Sequence, residues 1–202
     1  MRLIAVKNNI ALTIMIALLL LATSLEAYAQ FCEKRILMII PLKGFWCEEL
    51  KKPKEIFEQN GLLVTIASSA MKEAESIFGV TIKPDIVLNK VKVGHYDAII
   101  FVGGEGAVQY WDDPHAHRLI KEALKKGKVL GAISISPITL ANAKVLIGKK
   151  ATVWPTLGNR LKWAGAIYTG EPVEIDGKIV TADRPDSAEE FANAILRVIP
   201  QE

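Results

Sequence analysis

Ser134 stands where a buried strand gives way to a helix. Residues 129–133 form a short apolar run without alternation, which is typical of a strand covered on both faces. Pro137 fits the first turn of a helix because its missing N–H costs nothing there, and Ser136 is expected to cap that helix. The pattern predicts Ser134 at the tip of the sheet, beside free backbone N–H groups and the positive end of a helix dipole. Because α/β enzymes place nucleophiles at such turns, Ser134 is a candidate nucleophile.

Two other segments are expected to approach Ser134. Ligands of open parallel sheets bind beyond the carboxyl ends of the strands. Glu48 and Glu49 follow the first apolar strand, and the glycine turn at 103–106 follows the third. A carboxylate, exposed backbone N–H groups and a hydroxyl would therefore lie near one another. Each group also has a purely structural interpretation. The glutamates could be dipole partners in a first helical turn, the glycines could form only a tight turn, and Ser134 could be only a helix cap.

The glycine turn does not indicate nucleotide binding. Its sequence, Gly-Gly-Glu-Gly, lacks the spacing of dinucleotide- and phosphate-binding loops.

The elements that must position these residues alternate along the chain. Apolar strands followed by amphipathic helices predict an α/β sandwich around a mostly parallel sheet. The predicted strands are 36–40, 62–67, 98–102, 129–133 and 150–154, and the predicted helices are 48–59, 113–126, one from Pro137, 157–163, and a last one from a capping box of Ser187 with Glu190. A hairpin is expected over 173–182, turning at Asp176 and Gly177. Residues 68–94 predict a small β-rich excursion.

The first 29 residues have the pattern of a secretory signal peptide. Arg2 and Lys7 flank the start, residues 10–22 are almost wholly apolar, and residues 27–29 read Ala-Tyr-Ala. We expect cleavage after Ala29 and one mature domain over residues 30–202, located in a periplasm or outside the cell. An uncleaved membrane anchor is the alternative, but the apolar run falls short of the ~20 residues that span a bilayer.

Charge and histidine placement argue against several partners. The formal net charge is +3, and the lysines are scattered over predicted helix faces and turns rather than forming the stripe that nucleic acid requires. His115 and His117 are two residues apart, so they would not share a helix face, and His95 precedes a strand. We expect no nucleic acid, no metal and no cofactor.

The two cysteines, Cys32 and Cys47, are not expected to pair. The first strand lies between them and would hold them roughly 20 Å apart, whereas a disulfide requires about 6 Å between Cα atoms. A folded-back N-terminal tail could still join them. Cys47 could instead act as a displaced thiol that lines the site near Glu49, although a free cysteine more often serves packing.

Three stretches resemble the DJ-1/PfpI superfamily, whose members share a flavodoxin-like three-layer sandwich. They read DAIIFVGGEGA, then KKGKVLGAISISPITLANAKVLIGKKATVWP, then GEPVEIDGKIVTADRP, and the likeness extends over residues 35–199. The resemblance implies that Glu49 hydrogen-bonds a nucleophile at position 134, and that Gly103, Gly104 and Ile135 supply backbone N–H groups for an oxyanion.

This chain departs from the pattern that the resemblance implies. Ser134 replaces the family's cysteine, and Ile135 and Trp154 occupy the two positions where relatives carry a histidine. A serine hydroxyl needs an adjacent base, and it cannot be oxidised as a thiol can. We therefore expect a non-catalytic or strongly altered member that binds a small molecule or a protein partner. The alternative is a hydrolase, glyoxalase, deglycase or protease-like enzyme using Glu49 with Ser134, or with a cysteine at that position in the natural protein. The resemblance also implies a dimer.

Overall fold

A seven-stranded sheet forms the centre of the domain. The computed structural model describes residues 15–16 and 33–200. The predicted signal peptide and its cleavage site lie outside the described residues, except for Met15 and Ile16, which are helical, and Cys32 lies outside them as well. The strands of the central sheet, in spatial order, are β11 (Val173–Asp176), β12 (Ile179–Ala182), β8 (Val129–Ile133), β7 (Ala98–Phe101), β1 (Arg35–Ile39), β3 (Leu63–Ser68) and β6 (Ile86–Val87). All neighbours are parallel except β11 and β12, which form the predicted hairpin.

Both faces of this sheet are covered, which explains why its strands lack alternation. In β1, Leu37 and Ile39 belong to one apolar cluster while Ile36 and Met38 belong to the other, and all four are fully buried. Successive side chains of a strand point to opposite faces, so a strand buried on both sides must be apolar throughout. The fold is the predicted three-layer α/β sandwich.

The helices form the two outer layers. They are α1 (Cys47–Gln59), α2 (Pro114–Lys125), α3 (Pro137–Asn142), α4 (Gly158–Trp163) and α5 (Ala188–Val198). Phe57 of α1 and Phe191 of α5 pack in one cluster, whereas Leu119 of α2, Leu140 of α3 and Leu161 of α4 pack in the other. None of the described helices has the length and apolar character needed to span a bilayer.

The segment at 68–94 is the predicted β-rich excursion. Its strands β4 (Ala74–Ser76) and β5 (Thr81–Ile82) pair with each other, and β4 also pairs with β2 (Lys43–Phe45), which follows the first core strand. This small sheet brings the excursion next to the loop that precedes α1.

The strand predicted at 150–154 is shorter in the structure. Only β9 (Lys150–Ala151) is paired, and its partner is β10 (Ile167–Tyr168). The following N–H groups bond elsewhere: that of Thr152 donates to Thr181 Oγ1 and that of Trp154 to the carbonyl of Ser134.

Two predicted helix caps were wrong. Ser136 Oγ donates to the carbonyl of Val102 at 2.9 Å, and Ser187 Oγ donates to Asp183 Oδ1 at 2.7 Å. A capping side chain reaches forward from an extended backbone, but Ser136 is already helical at φ −68° and ψ −23°, and Ser187 lies at φ −86° and ψ 1°. Both hydroxyls instead tie loops at the carboxyl edge of the sheet.

Candidate active site at the Ser134 elbow

Ser134 occupies a sharp turn directly after β8. Its φ is 62°, a left-handed conformation that among the described non-glycine residues is shared only by Lys144. Such a backbone costs a residue with a Cβ roughly 1–2 kcal/mol. Two hydrogen bonds hold it: the Ser134 N–H donates to the Ala182 carbonyl at 2.9 Å, and the Ser134 carbonyl accepts from the Trp154 N–H at 2.8 Å. The predicted elbow is therefore present, and the neighbouring segments on the β12 side fix its strained conformation.

Glu49 is a buried carboxyl in the first turn of α1. Its side chain is fully shielded from solvent, its Oε2 accepts from the Gly103 N–H at 2.8 Å, and its Oε1 has no hydrogen-bond partner among the described residues. Burial raises the pKa of Glu49 from 4.5 to about 8, and the Gly103 N–H and the Ser134 hydroxyl lower it by less. Glu49 is therefore mainly a neutral carboxylic acid at pH 7, and its Oε1 is buried without a hydrogen-bond partner of ordinary geometry.

The space between Glu49 and Ser134 is bounded by Gly103. A Cβ placed on Gly103 would lie 2.5 Å from Glu49 Oε2, 2.6 Å from Ser134 Cβ and 2.8 Å from the Ile133 carbonyl oxygen. The carboxyl and the serine therefore flank the same glycine. The Ser134 hydroxyl is close enough to lower the pKa of Glu49, but it does not reach full hydrogen-bond geometry, and Oε1 is left unpaired.

The glycine turn packs tightly against the loop before α1. Gly104 has a φ of 96°, and a Cβ there would lie 2.3 Å from the Gly44 carbonyl oxygen. Of the predicted oxyanion donors, the N–H groups of Gly104 and Ile135 donate to no oxygen of the described residues. The Gly103 N–H donates to Glu49, so this part of the prediction is corrected: Gly103 positions the acid, and the free donors are Gly104 and Ile135.

A cavity of about 420 Å³ lies near the elbow: Trp154, whose backbone N–H bonds to the Ser134 carbonyl, and Glu48 line it, whereas Ser134 and Glu49 do not. It is lined by aromatic and charged residues, namely Trp46, Glu48, Phe78, Trp154, Arg184, Pro185 and Asp186. Trp154, predicted to line the pocket, is 37% exposed there. The ring of Trp46 meets that of Phe78 edge to face, with 5.4 Å between centroids.

Sequence reasoning missed Trp46, Phe78 and Arg184. Phe78 comes from the excursion at 68–94, and Arg184 follows β12, where its Nε lies 2.6 Å from the buried Asp183 carboxylate. Neither residue belongs to a stretch with helical or strand periodicity, so the sequence pattern does not predict their position. Only the tertiary structure shows that they line this cavity.

Cys47 and the histidines do not contribute to this site. Cys47 carries a free thiol, is 4% exposed and packs in the apolar cluster between the sheet and α1, so the prediction that it lines the pocket was wrong. His117 Nε2 lies 2.8 Å from the Trp111 carbonyl oxygen, and His95 precedes β7, at the amino end of the sheet. Within residues 33–200, no three His, Cys, Asp or Glu side chains are grouped so as to bind a metal.

Comparison with models of known families matches residues 34–198 to the DJ-1/PfpI family. The chain belongs to the DJ-1/PfpI family. The mostly parallel sheet flanked by helices is the fold expected for this family.

Among relatives, the chain is 40% identical over 168 residues to the uncharacterized protein MJ0967 of Methanocaldococcus jannaschii, covering 82% of each chain. It is 28% identical over 167 residues to the glutathione-independent glyoxalase DJR-1.2 of Caenorhabditis elegans, covering 83% of this chain and 89% of that one. It is also 28% identical over 148 residues to the deglycase TK1284 of Thermococcus kodakarensis, covering 73% and 89%.

Solved structures agree on the fold. A ThiJ/PfpI domain protein from Brachyspira murdochii superimposes with a TM-score of 0.80 at 30% identity, covering 82% of this chain and 96% of that one. Drosophila melanogaster DJ-1beta superimposes with a TM-score of 0.77 at 24% identity, covering 84% and 92%. The second likeness concerns the fold alone.

Proposed function

We propose that this DJ-1/PfpI protein binds a small carbonyl compound at the Ser134 elbow without the cysteine chemistry of its family. The observation that carries the proposal is the buried, neutral Glu49 with an unpaired Oε1 beside Ser134. A buried polar atom without a partner is costly unless a ligand or water satisfies it. A protonated carboxyl donates a hydrogen bond, and a carbonyl oxygen is the matching acceptor.

The arrangement favours reversible binding over turnover. The free N–H groups of Gly104 and Ile135 offer further donors to a polarised oxygen. A serine hydroxyl needs an adjacent base to become a nucleophile, but Glu49 holds a proton at pH 7 and the two family histidine positions carry Ile135 and Trp154. Ser134 therefore serves as a hydrogen-bonding group.

Small α-oxo carbonyl compounds are the ligand class that we favour. The aromatic residues of the nearby cavity offer apolar surface to a compact organic molecule. The relative that is named a glutathione-independent glyoxalase supports this class, because that name refers to a dicarbonyl compound.

A serine-based hydrolase is the second candidate. Two observations favour it: the left-handed backbone of Ser134 is the geometry of a nucleophile elbow, and two backbone N–H groups near it are free. Because Glu49 is protonated at pH 7, this enzyme would need another base to activate Ser134, and that base would reach the elbow only when the substrate binds.

We also propose that the protein acts in a periplasm or outside the cell after cleavage behind Ala29, and that it forms a dimer. The signal-peptide pattern of residues 1–29 supports the first point. The family membership supports the second.

The test uses methylglyoxal as the probe, with binding and consumption measured separately. We expect saturable binding by the wild-type protein without consumption of the dicarbonyl. Ser134→Cys should begin to consume it, because a thiol at a helix N-terminus is partly ionised near neutral pH. Ser134→Ala should weaken binding about fivefold, since it removes one hydrogen bond worth roughly 1 kcal/mol.

The pH dependence gives a matched control. Binding by the wild-type protein should fall above pH 8, where Glu49 ionises and loses its donor. Glu49→Gln keeps a neutral donor, so its binding should not fall there. Consumption of methylglyoxal by the wild-type protein at the rate of Ser134→Cys would overturn the proposal. Fluorophosphonate labelling at Ser134, lost in Ser134→Ala, would replace it with the hydrolase.

A further inference from the structure

A second cavity lies behind the elbow helix and is separate from the carbonyl site. Its volume is about 310 Å³, at the lower end of the range for small-molecule sites. It lies among the segment before α2, the helix α3 and the helix α4, and the residues that matter here are Trp111, Asp112, Lys144, Arg160 and Trp163.

Arg160 is held against one wall of this cavity. Its Cζ lies 4.7 Å from the centroid of the Trp111 ring, and Trp111 is itself fixed by a hydrogen bond from Nε1 to the Ile135 carbonyl at 3.2 Å. A guanidinium held over an indole ring by a cation–π contact still has N–H donors that can bind an anion. Among the described residues, Arg160 has no carboxylate partner.

Lys144 adds a second cation at the same cavity. It follows α3 in a left-handed conformation, with a φ of 66°, at a position where glycine is favoured. Its ammonium also forms no ion pair with a described residue. The one acidic side chain of the lining, Asp112, accepts a hydrogen bond at Oδ1 from Asn142 Nδ2 at 2.9 Å. The lining of this cavity therefore carries two positive charges and one negative charge.

The other walls are apolar or aromatic. Trp163 is 83% exposed, the largest exposure among the exposed large apolar residues of the described chain, and Ile138 and Ala164 complete the lining. Cations beside two indoles match a planar organic anion, because the ring stacks on an aromatic wall while the carboxylate meets the guanidinium.

We infer that this cavity is a binding site for a small aromatic carboxylate, with Arg160 and Lys144 as its anion-binding residues, Trp111 as the support of Arg160 and Trp163 as its stacking surface. The site does not depend on the proposed carbonyl-binding function. The four tryptophans of the chain separate the two sites, since Trp46 and Trp154 line the elbow cavity and Trp111 and Trp163 line this one.

The test is a titration followed by the four indole N–H resonances in ¹H–¹⁵N correlation spectra, assigned by single Trp→Phe variants. The probe is benzoate, and benzamide at equal ionic strength is the uncharged control. Benzoate should shift the Trp111 and Trp163 resonances saturably, and benzamide should bind at least about tenfold more weakly, as expected for loss of a charge-assisted hydrogen bond.

Charge variants sharpen the test. Arg160→Gln should weaken benzoate binding about tenfold, whereas Asp112→Asn should strengthen it because the repelling carboxylate is removed. Lys144→Gly should weaken binding while raising the melting temperature, since glycine relieves the left-handed strain. Arg197→Gln, an exposed arginine on α5, is the matched control and should change nothing.

Three results would overturn the inference. They are equal binding of benzamide, benzoate shifts confined to Trp46 and Trp154, and benzoate affinity that Arg160→Gln leaves unchanged.

Discussion

Ionisation of Glu49 should destabilise the folded protein as the pH rises. Burial raises its pKa from 4.5 to about 8, so the folded state retains a proton that the unfolded chain releases. Below pH 4.5 both states are protonated and the group contributes no pH dependence. Between pH 4.5 and 8 the free energy of unfolding falls by about 1.4 kcal/mol per pH unit, and above pH 8 the loss is complete at about 5 kcal/mol.

The measurement is a difference between variants. Glu49→Gln cannot ionise and should keep the hydrogen bond from the Gly103 N–H through its side-chain oxygen. Other titrating groups affect both proteins alike, so the stability of Glu49→Gln minus that of the wild type isolates Glu49. Urea unfolding at half-unit steps from pH 4.5 to 9 should show this difference rising across the interval and levelling near pH 8.

The neighbouring carboxyl gives a matched control. Glu48 precedes Glu49 in the same helical turn but is exposed. Glu48→Gln retains Glu49, so its free energy of unfolding should still fall between pH 4.5 and 8. A flat difference between Glu49→Gln and the wild type would refute the neutral, buried carboxylic acid, and with it the donor on which the proposed carbonyl site depends.

The remaining predictions concern the elbow, the glycine turn and the N-terminus. Gly103→Ala should lower the free energy of unfolding by at least about 2 kcal/mol in a urea titration, because its Cβ would overlap Glu49 and Ser134, whereas Gly94→Ala, with only Lys126 Nζ at 3.6 Å, should cost less than half as much. Ser134→Gly should raise the melting temperature by about 2–4 °C, since about 1 kcal/mol of left-handed strain is relieved; no rise in a calorimetric scan would show that the elbow is unstrained. Brief peroxide treatment of Ser134→Cys should add oxygen at position 134 in peptide mass spectra and leave the buried Cys47 unmodified. N-terminal sequencing of the protein recovered from its native compartment should begin at Gln30, and a protein that retains Met1 would contradict cleavage.

The sequence determined the architecture because burial on both faces leaves a distinct pattern. Strands such as 129–133 are apolar throughout, and the helices between them carry one apolar stripe, so the α/β sandwich and most boundaries could be predicted within one or two residues. The position of Ser134 at the carboxyl edge followed from the same pattern, since a strand followed by Pro137 leaves room only for a tight turn. The caps at Ser136 and Ser187 could not be predicted, because their hydroxyls bond to groups far away in the chain.

The chemistry of the site was decided by the tertiary structure. The sequence shows Glu49 as a glutamate like any other; only the packing of α1 against the sheet removes its solvent, raises its pKa and leaves Oε1 without a partner. The same packing assigns the Gly103 N–H to the acid and places Cys47 in the core. Periodicity records which residues are buried, but desolvation and hydrogen bonding depend on neighbours distant in sequence. The sequence shows that a serine occupies the turn after the strand. The fold around that turn determines which groups surround the serine and therefore what the elbow can bind.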